Sequence, residues 1–298
     1  MLAANTSKSQ AVVVADYLKI LAELLKFRLS FLVAFSSAFG YLLAMQGPVQ
    51  WGQIIMLSLG GFLVSGAATT INQVLERDYD RLMKRTMNRP IPTGRVSIQE
   101  ALMIAAVAGG IGLVLLTLYT NVLTTALSAL SLLLYSFVYT PMKRVGPIAV
   151  LIGAFPGALP PLLGWTAATG AISTEALILF GIQFVWQFPH FWAIAWVADE
   201  DYKRAGFKLL PQGGQKDLRT AIQIMSYTLF LLPLGLLPTK LGITGINSAL
   251  VATICGVLFL FQTFTLMKDC SQKSALRLMF GSFIYLPVVQ IAYLLDKV

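Results

Sequence analysis

The sequence predicts an all-α integral membrane fold, with nine transmembrane helices in a single bundle and the N-terminus cytoplasmic. Three observations carry that expectation. Of 298 residues 57% are hydrophobic and only 12% are charged, about half the charged share of a soluble domain. Mean hydropathy is +0.75, which makes lipid the expected solvent. The apolar residues also fall into stretches of about 20, the length a spanning helix requires.

The nine stretches run near 28–46, 52–72, 99–118, 121–139, 147–167, 174–196, 219–238, 247–267 and 277–295. The second, fifth and sixth hold polar or proline residues that a passive anchor does not need. Gly60, Gly61, Gly109, Gly110, Gly153 and Gly157 offer small surfaces for close helix approach. No polar stretch is long enough to build a soluble domain. Residues 1–298 therefore read as one transmembrane domain, with 1–20 a short cytoplasmic N-terminal segment.

The loops orient the bundle. Lys8, Lys19, Lys26 and Arg28 precede or begin the first span, and six arginines and lysines from Arg77 to Arg95 separate spans two and three. Lys143 and Arg144 follow span four, five bases from Lys203 to Arg219 follow span six, and Lys268, Lys273 and Arg277 follow span eight. Only Lys240 and Lys297 of the 22 basic residues are left for the opposite side. Basic loops stay on the cytoplasmic side, so the N-terminus and the large loops are expected there. This distribution, with anionic lipid headgroups, accounts for the net charge of +9 and makes nucleic acid a poor partner. Residues 1–20 lack the pattern of a secretory signal or an organelle transit peptide. A multi-pass protein of a bacterial plasma (inner) membrane is the expected setting. Cys255 and Cys270 suggest neither a disulfide framework nor a metal cage.

The first polar constellation continues from span two: Asn72, Glu76, Arg77, Asp78, Asp80, Arg81, Lys84, Arg85, Asn88, Arg89 and Pro90. If the helix persists, Asn72, Glu76 and Asp80 share one face and Asp78 projects away from it. Carboxylates one turn apart repel unless a cation lies between them, and a hard divalent ion suits their oxygens. Arg85 and Arg89 follow as forked donors able to grip a diphosphate. A helix end with solvated i,i+4 pairs is the plain alternative. Against it, the polar run begins inside the apolar span, where an unused polar group is costly.

This run resembles the first aspartate-rich motif of the UbiA-type prenyltransferases, N-x-x-x-D/E-x-x-x-D followed by basic residues. The continuation Arg85-Thr86 to Arg89-Pro90 and Gly94 is similar to a second stretch of that superfamily. The resemblance implies nine helices, Mg²⁺ (or Mn²⁺) and an isoprenyl diphosphate.

The second constellation closes span six. Gln183, Gln187, His190, Ile194 and Asp201 fall on one helical face, and a polar stripe on a membrane helix should face the bundle interior. Pro189 can kink that helix and free a carbonyl. His190 is the only histidine. A lone histidine is usually structural; placed among Trp186, Phe188, Phe191 and Trp192, it becomes a candidate haem-iron contact or proton carrier.

Trp186 to Ala195, Asp201-Tyr202 to Gly206, Tyr139-Thr140 to Arg144 and Gly157 to Trp165 resemble the protoheme IX farnesyltransferase branch of the superfamily, with the resemblance running from about residue 16 to 295. Departures are Phe27 in a Lys-Pro-Arg pattern, Lys208-Leu209 where Pro-Met is common, and Ala198 where a fuller second motif has a carboxylate. Asp201 is left as the best-aligned acid of that motif.

The resemblance implies transfer of the farnesyl group of farnesyl diphosphate to a haem B vinyl group, with water addition, giving haem O. The implied catalytic residues are Asn72, Glu76, Asp80 and Asp201, with Glu76, Asp80 and Asp201 as metal ligands. Arg85, Arg89, Lys143, Arg144, His190, Gln187 and Tyr202 are the expected substrate contacts, at the cytoplasmic face. Haem A synthase or terminal-oxidase assembly proteins are the implied downstream partners. A quinone-type prenyltransferase stays open as an alternative. So does a transporter, which predicts carboxylates near the bilayer midplane rather than at one face.

Overall fold

The computed structural model describes residues 14–211 and 213–298. Much of the segment expected as a cytoplasmic N-terminal stretch thus lies outside the described residues. What is described there is a helix, α1, over 14–24, which precedes the first span.

Among the described residues nine helical spans are long and apolar enough to cross a membrane. They are α2 (Phe27–Ala44), α3 (Trp51–Leu75), α5 (Ile98–Tyr119), α6 with its extensions (Val122–Met142), α8 (Ile148–Thr169), α9 (Thr174–Val197), α11 (Leu218–Lys240), α12 (Ile246–Asp269) and α13 (Gln272–Leu295). Each overlaps a predicted stretch. Two short helices, α4 (Arg77–Asp80) and α10 (Asp199–Arg204), continue α3 and α9 beyond their last turns. The loops supply the caps: Ser97 and Glu100 form a capping box on α5, and Asn121, Ser173, Asp217 and Ser271 accept amide hydrogens at the starts of α6, α9, α11 and α13. These side chains satisfy helix-end donors that lipid could not.

Burial runs opposite to a soluble bundle. Along α5, Ala101, Ala105, Ala108 and Gly112 face inward, while Leu102, Met103, Val107, Ile111, Val114 and Leu118 are exposed. Small residues inside permit close approach, and large apolar ones meet lipid. The tightest contact is α2 against α8, where a Cβ on Gly40 would collide with the Pro161 backbone and one on Gly164 with the Ser37 carbonyl. The expectation for Gly110 needs correction, because it faces open space. Cys255 and Cys270 are free thiols.

Two local features aim side chains at the interior. Between Leu134 and Tyr139 the fourth span widens into a π-helical turn before α7 (Thr140–Met142). Such turns rotate the residues that follow and recur at functional sites. Pro189 lies inside α9, which runs unbroken from Thr174 to Val197.

Candidate active site

The helix that should carry the first motif does persist in effect. Although α3 ends at Leu75, the Glu76 amide donates to the Asn72 carbonyl (2.9 Å) and the Asp80 amide to the Glu76 carbonyl (2.8 Å). Asn72, Glu76 and Asp80 are consequently stacked on one buried face, at 1%, 5% and 0% exposure. Asp78 points out and pairs with Arg77 (2.9 Å) and Arg81 (3.4 Å) at the surface.

Each buried group already has a cation. Arg89 Nη1 donates to both oxygens of Asp80 (2.9 and 2.7 Å). Lys143 Nζ lies 2.9 Å from Glu76 Oε1; the approach falls off the hydrogen-bond axis, so this buried oxygen keeps an unused acceptor direction. Asn72 Nδ2 donates to Thr140 Oγ1 (3.0 Å), a residue delivered by the π turn, and Asn72 Oδ1 receives Lys26 Nζ at 3.4 Å.

Lys26 is a residue that sequence reasoning does not assign to the site; the sequence shows it as a topological charge and as part of the altered Lys-Pro-Arg pattern. It stands between α1 and α2 with φ of 43°, a conformation that costs a lysine of order 1–3 kcal/mol unless its surroundings fix it. The turn directs its ammonium into the ionic cluster, with no carboxylate within ion-pair distance among the described residues. Burial, reinforced by Arg89 and Lys143, pushes this ammonium well below the ordinary lysine value, against the opposing pull of Glu76 and Asp80. For Lys143 burial also acts downward, but Glu76 together with Tyr135 outweighs it and the net shift is upward. Two lysines in one cluster thus differ because only one has its own carboxylate. In the sequence it shows only as a lysine at the start of the first span.

A single cavity of about 510 Å³ joins this cluster to the second motif. Lys26, Asn72, Glu76, Asp80, Arg85, Arg89 and Lys143 line one part, and Gln183, Gln187, His190 and Phe191 another. Tyr202 also lines it, and Arg85 reaches toward the Tyr202 hydroxyl (3.5 Å). Lys143 sits 4.7 Å above the Tyr139 ring. Further in, Ser36 and Gln290 share the Gln183 carbonyl oxygen at 3.0 and 3.1 Å. His190 stacks on Trp186 with ring centres 4.3 Å apart, and its Nδ1 lies 2.9 Å from Ser282 Oγ.

Two predicted residues lie elsewhere. Arg144 is held over the Tyr79 ring and bonds its hydroxyl at 2.8 Å, away from the cavity wall. Asp201 accepts the backbone amides of Lys84 and Arg85, each at 3.1 Å. Among the described residues no three His, Cys, Asp or Glu side chains cluster closely enough to hold a metal. Glu76, Asp80 and Asp201 are therefore not gathered into one cluster, and each oxygen of Asp201 accepts an amide of the adjacent loop. What the site does offer is two stacked carboxylates and an amide oxygen. That suits Mg²⁺, which takes one or two carboxylates plus substrate phosphate oxygens rather than a full protein cage.

Comparison with known proteins agrees with this architecture. The model of the UbiA prenyltransferase family matches residues 33–286. A protein of Cytophaga hutchinsonii named protoheme IX farnesyltransferase is 55% identical over 276 residues, covering 93% of this chain and 96% of its own. One of Koribacter versatilis with the same name is 38% identical over 296 residues, 95% of each chain. Among solved structures, a digeranylgeranylglyceryl phosphate synthase superposes with a TM-score of 0.78 at 21% identity, covering 94% of this chain and 98% of its own. A UbiA homologue of Archaeoglobus fulgidus bound to GPP and Mg²⁺ gives 0.69 at 15% identity, covering 92% and 99%. At those identities the structures speak for the fold, and the family match and close relatives speak for descent: this chain belongs to the UbiA prenyltransferase family.

Proposed function

We propose that this membrane prenyltransferase joins the farnesyl group of farnesyl diphosphate to a vinyl group of haem B, with addition of water, to give haem O. The names of its relatives support the substrates. The observation that carries the reading is the single cavity running from the ionic cluster to the His190 segment. One part suits a polyanion, the other an aromatic macrocycle.

In this reading Lys26, Arg85, Arg89 and Lys143 hold the diphosphate. Glu76 and Asp80, with the Asn72 amide oxygen, would hold Mg²⁺ beside it. Bound there, Mg²⁺ neutralises diphosphate oxygens and makes the group a better leaving group. As the farnesyl C–O bond breaks, the bonding pair leaves with the diphosphate and the fixed cations stabilise the charge that develops. The vinyl carbon supplies the electrons of the new C–C bond, and water adds to the neighbouring carbon with loss of one proton. Apolar walls such as Leu163, Val150 and Leu286 limit water elsewhere. His190 and Gln187 contact the macrocycle. Arg144 is better assigned to bracing Tyr79, and Asp201 to holding the Lys84–Arg85 loop. The basic loops support a cytoplasmic ionic mouth, in a bacterial plasma membrane.

Purified protein supplied with haem B, farnesyl diphosphate and Mg²⁺ is expected to produce haem O, read by mass spectrometry. A product with a hydroxybenzoate and none with haem would overturn the substrate assignment and favour a quinone-type reaction.

A further inference from the structure

The imidazole of His190 can carry its proton on either nitrogen, and the choice decides what the cavity meets. In a neutral ring one nitrogen donates and the other offers a lone pair. Here Nδ1 lies 2.9 Å from the Ser282 hydroxyl. That hydroxyl has one hydrogen, and it is engaged one turn back, donating to the Met279 carbonyl at 2.6 Å. A hydroxyl whose hydrogen is spent can serve the histidine only as an acceptor. Nδ1 must then carry the proton, which leaves Nε2 with the lone pair.

The surroundings fix this geometry. Ser282 is fully buried, and its carbonyl accepts the Trp186 indole N–H at 3.0 Å. Trp186 in turn stacks on the His190 ring at 22°, while Phe191 and Phe283 press edge-on from other directions, 5.4 and 5.1 Å away. One serine on α13 therefore grips both rings of the α9 aromatic segment. His190 lines the cavity, and no described residue hydrogen-bonds its Nε2.

We propose that Ser282 is a positioning residue that commits His190 to the Nδ1–H tautomer, so that Nε2 presents a lone pair to the substrate in the cavity. Such a nitrogen can meet the iron of a haem substrate, and a second-sphere acceptor on the far nitrogen is how a histidine ligand is usually oriented. That contact rests on the proposed function; the tautomer does not.

His190 is the single histidine of the chain, so ring-¹⁵N histidine labelling gives one residue's signals once any affinity tag is removed. In substrate-free protein the ring proton is expected on Nδ1. Ser282→Ala should move it wholly or partly to Nε2, and Ser282→Thr, which keeps the hydroxyl, should keep it on Nδ1. With haem B and farnesyl diphosphate, Ser282→Ala should lower kcat roughly 10–100-fold, the usual range for such partners, leaving KM for farnesyl diphosphate within about two-fold. A wild-type proton on Nε2, or a Ser282→Ala spectrum identical to wild type, overturns the proposal. Failure of haem turnover in the wild-type protein with the tautomer as expected would instead count against the substrate assignment alone.

Discussion

Arg89 reaches both carboxylate oxygens of Asp80 through one nitrogen, at 2.9 and 2.7 Å, and Asp80 is fully buried. The pair gives a buried carboxylate a counter-charge in a place where an isolated charge would be costly. It also means that a metal–diphosphate arriving at Asp80 competes with Arg89, whose side chain is 20% exposed. Asp80→Asn should therefore lower kcat by about 10²–10³, the scale of losing one preorganised charge-stabilising group. A solvated helix end would show only a small stability change, so normal turnover in Asp80→Asn would remove the acid from the metal site. Circular dichroism on the same sample checks that the helices remain.

Lys26 predicts a pH effect with a definite sign. Its folded-state pKa is lowered by burial and by Arg89 and Lys143, so it sheds its proton earlier than an unfolded lysine. The folded protein without substrate accordingly gains stability as pH climbs from the folded toward the unfolded value. Diphosphate binding, which needs the charge, weakens over the same window. kcat/KM for farnesyl diphosphate should fall on the alkaline side below pH 10.5, the ordinary lysine value. Lys26→Arg, which stays charged, should push that limb upward; an unmoved limb assigns it to another group.

Asp201 separates two roles by two constants. Holding the Lys84 and Arg85 amides, it orders the loop whose Arg85 lines the cavity. Asp201→Asn turns one acceptor into a donor facing an N–H, so KM for farnesyl diphosphate should rise several-fold, an effect of about 1 kcal/mol. The Mg²⁺ concentration for half-maximal rate should stay that of wild type. An Mg²⁺ requirement shifted as far as in Glu76→Gln would return Asp201 to the metal.

The nine spans and the buried face of Asn72, Glu76 and Asp80 were legible because both depend on local periodicity. Apolar length marks a span, and i,i+4 spacing marks a face whatever the neighbours do. The contacts of Asp201 and Arg144 are not legible for a different reason. Their partners, the Lys84–Arg85 amides and the Tyr79 hydroxyl, come from distant loops, and spacing along one helix says nothing of them. Lys26 was hidden because its direction comes from a left-handed turn, which no lysine advertises. Ser282 was hidden because its role depends on where one hydrogen goes.

The glycines give a stability test with an internal control. At Gly164 a Cβ would strike the Ser37 carbonyl and the Tyr41 amide nitrogen of α2, which are backbone atoms that cannot rotate away. Gly164→Ala must therefore separate α2 from α8, and overpacking of this kind costs about 1–3 kcal/mol. Gly110 lies in the middle of α5 with nothing within 4 Å of its added Cβ. There alanine adds no clash and removes glycine's conformational penalty of roughly 0.5–1 kcal/mol. Thermal unfolding in one detergent should place Gly164→Ala below wild type and Gly110→Ala level with it or above. Because Ser36, beside Ser37 on α2, belongs to the polar contact with Gln183 and Gln290, Gly164→Ala should also lower turnover. Equal melting of the two variants would mean that α2 and α8 do not meet at Gly164 as closely as described.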